Sequence, residues 1–426
     1  MKRLTCAMCL CGALGAAEVR MMTLKEAAEV ALKASPEALL SRLEEQKAAQ
    51  RVQVARDPFV PKVYAGSGLA YSSGFPMSID GAAPSVVQAR AVASVYNKRE
   101  KFQVAQAREE ARGVALDGQT RRENAVYRTL DLFLEAEQKG RVLDMARKQV
   151  ESVHKVEEVV KLRVKEGREL PLEASRAALA VARAEQRVMQ LEADRDHMEA
   201  MLGQVLGMAA GDRVRAAGEE REAAVLPATE PEAVEQATLE SREVRRLESA
   251  LLGKAMEAQA QRAARWPTLD LVAQYGLFAK FNRYEDFFRH FQRHNGQLGV
   301  SVQIPLVSGS AAKALAEAAE TEVARLRVEM SSTRSRIAVE ASKKFQDVKR
   351  TEGDRKVSRL ELDVAREELS VELAKMDEGR STLRQVEGAR MAEQERWMKY
   401  YEAQYAVERA RYALLERTGG LVAALR

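Results

Sequence analysis

Along most of the chain, apolar residues recur three and four positions apart. Val323, Leu326 and Met330, then Ile337, Ala341 and Val348, mark such a helical face. No proline occurs between Pro84 and Pro171 or after Pro305, so nothing breaks a helix there. The pattern predicts a helix over about 98–165, a break at Gly167, and a helix over about 172–206. It predicts the same series again: helix over about 310–376, a break at Gly379, and helix over about 384–417. Helices of about 65–70 residues run about 100 Å and must pack along their length against similar helices. A shorter helix precedes each pair, over about 24–56 and about 232–265. The first divides at "ASPEAL", where Ser35 is a natural N-cap and Pro36 suits the first turn.

Between each short helix and its long helix the period changes to two. Val63, Ala65, Ser67, Leu69 and Tyr71 alternate with Tyr64, Gly66 and Gly68. Val87, Ala89, Ala91, Ala93 and Val95 alternate with Gln88, Arg90 and Ser94. In the second half Leu269, Leu271, Ala273, Tyr275 and Leu277 form one face, and Leu298, Val300, Val302, Ile304 and Leu306 another. Four half-buried strands are predicted. Their opposite faces carry Gly, Gln, Ser and Arg, which suits strands with lipid on one side and water on the other as well as a soluble sheet on a core.

The two halves are copies of one unit. An offset of 206 pairs Ala27 with Ala233, Ala31 with Ala237, Ser35 with Ser241 and Pro61 with Pro267; it drifts to 212–214 where Gly167 pairs with Gly379, Glu173 with Glu387 and Arg176 with Arg390. The expected organisation is a first repeat over 18–207, a linker over 208–231, a second repeat over 232–420 and a tail over 421–426. In each repeat the order is helix, two strands, long helix, turn, short helix. Gly167 and Gly379 stand where each long helix needs a left-handed turn to end.

Composition supports a mainly α chain with a small β part. Of 426 residues, 5 % are aromatic and 31 % charged, as expected of long packed helices rather than a compact enzyme core. The net charge of +5 comes from 68 basic and 63 acidic residues mixed along the helices, without the basic, aromatic-laced block of a nucleic-acid surface. Residues 1–17 read as a signal peptide: Lys2 and Arg3, an apolar run from Leu4 to Leu14, then Gly15, Ala16 and Ala17. All three cysteines (Cys6, Cys9, Cys11) lie in that segment, so the exported chain would hold no disulfide and no Cys-based metal site. Leu10 before Cys11 and Met8 before Cys9 argue against a lipid anchor. No stretch of about 18 apolar residues follows, so any membrane span must be built from strands.

No catalytic constellation is present: there is no Gly-rich phosphate loop and no Gly-x-Ser-x-Gly elbow. No cofactor or metal is expected. The loop over 279–295 carries five aromatics with His290 and His294, whose four-residue spacing alone is a weak metal signature. A membrane-interface or packing role suits that loop better. Trp266 reads as an interfacial anchor and Trp397 as a helix-packing residue.

The duplicated helix–strand–strand–helix–helix unit, "PTL" entering a strand at Pro267, "IPL" leaving one at Ile304, and the Gly break after each long helix resemble the outer membrane efflux protein family, the TolC-like channels. The resemblance spans about 24–420. It implies a homotrimer in which three sets of four strands close a 12-stranded barrel above an α-helical tunnel in the periplasm. It further implies a passive exit duct of a tripartite efflux or type I secretion system, working with a periplasmic adaptor protein and an inner-membrane transporter. A soluble periplasmic coiled-coil scaffold or adaptor is the alternative. Under the resemblance, Gly167, Arg168, Glu173, Gly379, Arg380 and Glu387 would form the periplasmic tip, its aperture and the adaptor contact. Relatives paired with proton-driven pumps often carry Val-Gly-Leu there; this chain carries Glu166-Gly167-Arg168 and Glu378-Gly379-Arg380.

Overall fold

A computed structural model describes residues 19–69, 85–209, 211–218, 221, 224–278, 292–306, 310–378 and 380–425. The expected signal peptide and most of the 279–295 loop lie outside these. The chain divides into two compact units. One contains residues up to Ser41, Gln119–Ser241 and Ser335–Arg426; the other contains Arg42–Gly118 and Arg242–Arg334.

The helices follow the pattern read from the chain. They are α1 (Leu24–Ala34), α2 (Pro36–Arg56), α3 (Lys98–Lys165), α4 (Pro171–Val205), α5 (Glu230–Glu240), α6 (Arg242–Arg262), α7 (Ser310–Asp377), α8 (Leu383–Thr418) and the short α9 (Leu421–Ala424). No helix among the described residues is long and apolar enough to cross a membrane. Thr23 begins α1 with a reciprocal cap: the Glu26 N–H donates to Thr23 Oγ1 at 3.2 Å and the Thr23 N–H to Glu26 Oε2 at 2.9 Å. Ser35 restarts the chain as expected, its Oγ accepting from the Ala38 N–H at 3.2 Å.

The helix expected over about 232–265 is broken at Ser241, which takes φ −59° and ψ 113°. Ser35 has the same extended conformation, with φ −58° and ψ 147°. No proline follows Ser241, so the break has no local marker; it falls where the chain passes from one compact unit to the other. Ala27 and Ala31 of α1 and their offset partners Ala233 and Ala237 of α5 are all completely buried. Both short helices thus turn the same small-residue stripe inward.

The first unit has an apolar centre built from α1, the middle of α3 and the ends of α4 and α8. Leu130, Phe133 and Leu134 meet Leu202, Leu206, Tyr405 and Leu415 there. Two short strands complete it: β1 (Val19–Met22) pairs in parallel with β4 (Arg213–Ala216), within the segment read as linker. Four residues are too few to declare a period, which is why the pattern missed them. The middle of β4 nonetheless alternates. Val214 is fully buried, while its neighbours reach acids on α4: Arg213 lies 2.7 Å from Asp196 and Arg215 Nε 2.7 Å from Glu199. Glu199 is itself buried, with Arg195 also 3.6 Å away. In the second unit the buried positions of α6 and α7 include Ala258, Ala260, Ala316 and Ala319, whose small side chains let helix backbones approach closely.

The second unit also holds the sheet, β2 (Lys62–Gly68), β3 (Ser85–Tyr96), β5 (Thr268–Phe278) and β6 (His294–Gln303), antiparallel in the order β2-β3-β5-β6. The register aligns the predicted alternation across all four strands. Val63, Ala91, Ala273 and Leu298 form one row. Tyr64, Arg90, Gln274 and Gln297 form the next, pointing to the other side. Ala93, Leu271 and Val300 extend the apolar face, and Ser94, Asp270 and Ser301 the polar one. At the loop end Tyr275 Oη lies 2.7 Å from His294 Nδ1, which gives that histidine a ring partner.

Gly203 sits where α4 meets the turn into β4. A β-carbon there would lie 2.8 Å from the Asp212 carbonyl oxygen, which is backbone and cannot swing aside. Gly203→Ala is therefore expected to destabilise the first unit by about 1–3 kcal/mol. Thermal unfolding followed by circular dichroism measures this, with Gly218→Ala, where the β-carbon meets nothing within 4 Å, as the control.

Candidate functional site

The described candidate residues lie on the two turns that end α3 and α7 and near the starts of α4 and α8. The first turn is a complete Schellman motif. The Gly167 N–H donates to the Val164 carbonyl at 3.0 Å and the Arg168 N–H to the Arg163 carbonyl at 2.8 Å, with Gly167 at φ +70°. Leu170 then enters α4 in extended conformation, with Pro171 at the first helical position where its missing N–H costs nothing. The second turn repeats the key bond: the Arg380 N–H donates to the Lys375 carbonyl at 2.8 Å. Gly379 itself lies outside the described residues.

The entries into the following helices differ. Thr382 opens α8 with its N–H donating to Gln385 Oε1 at 2.8 Å. The Thr-x-x-Gln spacing of a capping box was readable in the sequence as the signal for this start. One residue earlier, Ser381 Oγ donates to Glu372 Oε2 at 2.7 Å, and Lys375 Nζ contacts the other oxygen at 2.7 Å. These contacts with Lys375 and Ser381 hold the Glu372 carboxyl below its usual range. Glu372 and Ser381 staple the second turn across nine positions, a contact that no short motif announces.

Arg168 and Arg380 occupy equivalent places. Their side chains are 76 % and 77 % exposed, and each lies beside its own turn carboxylate, Glu166 at 3.3 Å and Glu378 at 3.2 Å. The structure does not bring the two arginines into one cluster; each is a solvated charge at the end of a hairpin. It does bring the two acids into one electrostatic neighbourhood. Glu173 is held by Arg176 at 2.5 Å. Glu387 is half-buried, and burial raises its pKa; the Glu173 carboxylate adds to the rise, while Arg390 opposes it. Arg390, in turn, donates to Ser152 Oγ on α3 at 3.1 Å. Glu387 is thus an acid in a partly dry place, and Glu173 is a surface acid with its own cation. Among the described residues no group of three or more His, Cys, Asp or Glu side chains is placed to hold a metal ion.

Two outcomes are expected. Gly167→Val forces a β-branched residue into the left-handed region and should cost about 1–2 kcal/mol, whereas Gly167→Asn should retain most of the stability. Thermal unfolding of both variants tests this. The second concerns pH. Because the folded pKa of Glu387 lies above the ordinary 4.5, the native state holds this proton more tightly than the unfolded chain. The ionised carboxylate therefore costs stability above the raised pKa. Glu387→Gln should raise Tm at neutral pH, and the gain should shrink on acidification and vanish below about pH 4.

No family model matches the chain, and no curated protein matches it. Solved structures do. CusC, described in terms of transmembrane channel formation, superposes with a TM-score of 0.77 over 93 % of this chain and 92 % of its own at 14 % identity. The Campylobacter jejuni CmeC outer membrane channel gives 0.75 over 93 % and 86 % at 11 % identity. The outer membrane protein VceC of Vibrio cholerae gives 0.72 over 93 % and 96 % at 14 % identity. With so few shared residues, what is common is the path of the backbone across nearly the whole chain. This chain, mainly helical with a small antiparallel sheet, has the fold of the TolC-like outer membrane channels.

Proposed function

We propose that the protein is the outer-membrane exit duct of a tripartite efflux or type I secretion system. It would act as a homotrimer that conducts cargo passively from a periplasmic adaptor and an inner-membrane transporter to the exterior. The observation that carries this reading is the sheet. Its apolar face is open: Leu298 is 79 % exposed, Val63 73 % and Val300 58 %. Its outer strands β2 and β6 each pair on one side only. An apolar sheet face suits lipid, but unpaired strand edges in lipid are costly, so four strands cannot stand alone there. Three copies of the four-stranded sheet supply twelve strands, a number that can close. The polar rows carrying Arg90, Gln274 and Gln297 would then face the lumen, and the helical part would lie in the periplasm.

The turns support a second part of the proposal. In a trimer, Arg168 and Arg380 would each become a ring of three charges at the tip, as would Glu173 and Glu387 further along. Charged rings at a constriction select and gate. The exposed Arg168 and Arg380 would be available to an adaptor, and the half-buried Glu387 would respond to how tightly the hairpins close.

Expression in a diderm host, membrane separation, and size exclusion with light scattering should give a trimer in the outer-membrane fraction. A soluble monomer or dimer from the periplasm would reject the duct. Leu298→Arg, which places a charge on the lipid-facing side at a cost of about 2–4 kcal/mol near mid-membrane, should abolish the trimer, whereas Gln297→Arg on the opposite face should not. Replacing both Arg380 and Glu387 by Ala should change single-channel conductance in planar bilayers; unchanged conductance and ion selectivity would remove them from the aperture.

A further inference from the structure

Segments of four helices within the first unit line a half-open cavity of about 700 Å³, within the range of small-molecule sites. Its floor is apolar and includes Met145 and Val153 of α3, Leu369 of α7, and Met391 and Trp397 of α8. Trp397 is held in place. Its ring stacks on Tyr401 with centroids 5.4 Å apart, and the Arg366 guanidinium lies 4.4 Å over it. Its Nε1 donates to Glu393 at 3.3 Å. The indole is thus a fixed aromatic wall, with its polar edge already satisfied.

The charge around the cavity is unbalanced. Lys148, Arg183, Arg187 and Arg390 line it, against the carboxylates Glu387 and Glu393. Both acids are engaged: Glu393 takes the Trp397 N–H and lies 3.7 Å from Arg366, and Glu387 has Arg390 beside it. Lys148, Arg183 and Arg187 form no ion pair among the described residues. These three exposed cations, from α3 and α4, stand at an aromatic, apolar chamber with no carboxylate of the described residues paired to them.

We propose that this cavity is a binding site for a small amphiphilic anion, with a flat apolar body against Trp397, Met145 and Met391 and one carboxylate or sulfonate between Lys148, Arg183 and Arg187. Burial of the body supplies affinity, and the cations select for charge. Because such a ligand touches both hairpins of one chain, α3/α4 and α7/α8, it would link their positions. The site lies within a single chain and does not depend on the duct reading.

The test uses the purified full chain carrying Trp266→Phe and labelled with fluorotryptophan, so that Trp397 alone reports by fluorine NMR. The probe is naphthalene sulfonate, with naphthol as its uncharged counterpart. A saturable shift of the Trp397 resonance is expected with the sulfonate, at least about tenfold weaker with naphthol and in the triple variant Lys148→Glu, Arg183→Glu, Arg187→Glu. Added salt should weaken the sulfonate and leave naphthol unchanged. No saturable shift would overturn the proposal. So would equal affinity for the two probes, which would mark simple apolar partitioning. If the triple variant does not fold, the sulfonate–naphthol contrast and its salt dependence in the parent chain decide the matter.

Discussion

Every backbone N–H and C=O must have a partner, and the structure is arranged around how each segment meets that demand. The 68-residue helices α3 and α7 meet it internally for most of their length, leaving only their ends to be settled. At the α3 end, two bonds back across Gly167 take up the last carbonyls; at the α7 end, the Arg380 N–H reaches Lys375 in the same way. Thr23, Ser35, Thr229 and Thr382 serve the starts of α1, α2, α5 and α8. Among the described residues, the four-stranded sheet stops short of meeting it. Strands β2 and β6 each present an edge, and the demand passes to whatever lies beside them.

Packing follows from these ends. Small residues sit where helices meet most closely: the Ala27/Ala31 and Ala233/Ala237 stripes have no exposed surface at all. Large side chains gather where several elements terminate together, around Leu130, Phe133, Leu202 and Leu415. Charge is used sparingly inside. Glu199 is buried because two arginines, one on its own helix and one on β4, meet it from both directions. Glu137 is buried beside Arg221, which arrives from the segment after β4 and also lies 3.2 Å from Glu408 on α8. These pairs tie β4 and the segment after it to the helices. Each buried acid depends on arginines that arrive from set directions, which makes these contacts specific about position rather than simply stabilising.

The long helices and their breaks were legible because their signals are local. Proline-free intervals, period-3.6 faces, and glycine followed by proline two to four positions later mark α3, Gly167 and α4 almost to the residue. The strands were legible for the same reason, since alternation over ten residues is a property of the segment itself. The break at Ser241 was not: Ser35 has a proline to announce it and Ser241 has none. Nor was the β1–β4 pair, whose partners are nearly two hundred residues apart and too short to show a period. At the two turns, the positions of Arg168 and Arg380 followed from the glycines before them. The half-burial of Glu387 beside Glu173, the Ser381–Glu372 staple, and the cavity floored by Trp397 did not, because each joins residues from different elements.

By itself the sequence determined the long helices, the four longer strands and their order, and which side of those strands is apolar. These depend on spacing along the chain, and spacing is read directly. Only the tertiary structure decided which faces meet. The register that aligns Val63, Ala91, Ala273 and Leu298 in one row, the docking of β4 against Gly203, and the unmatched cations around the cavity all depend on distances between residues remote in sequence. Periodicity states that a face will be buried; it carries no information about the partner that buries it, because that choice is made by shape and charge across the fold.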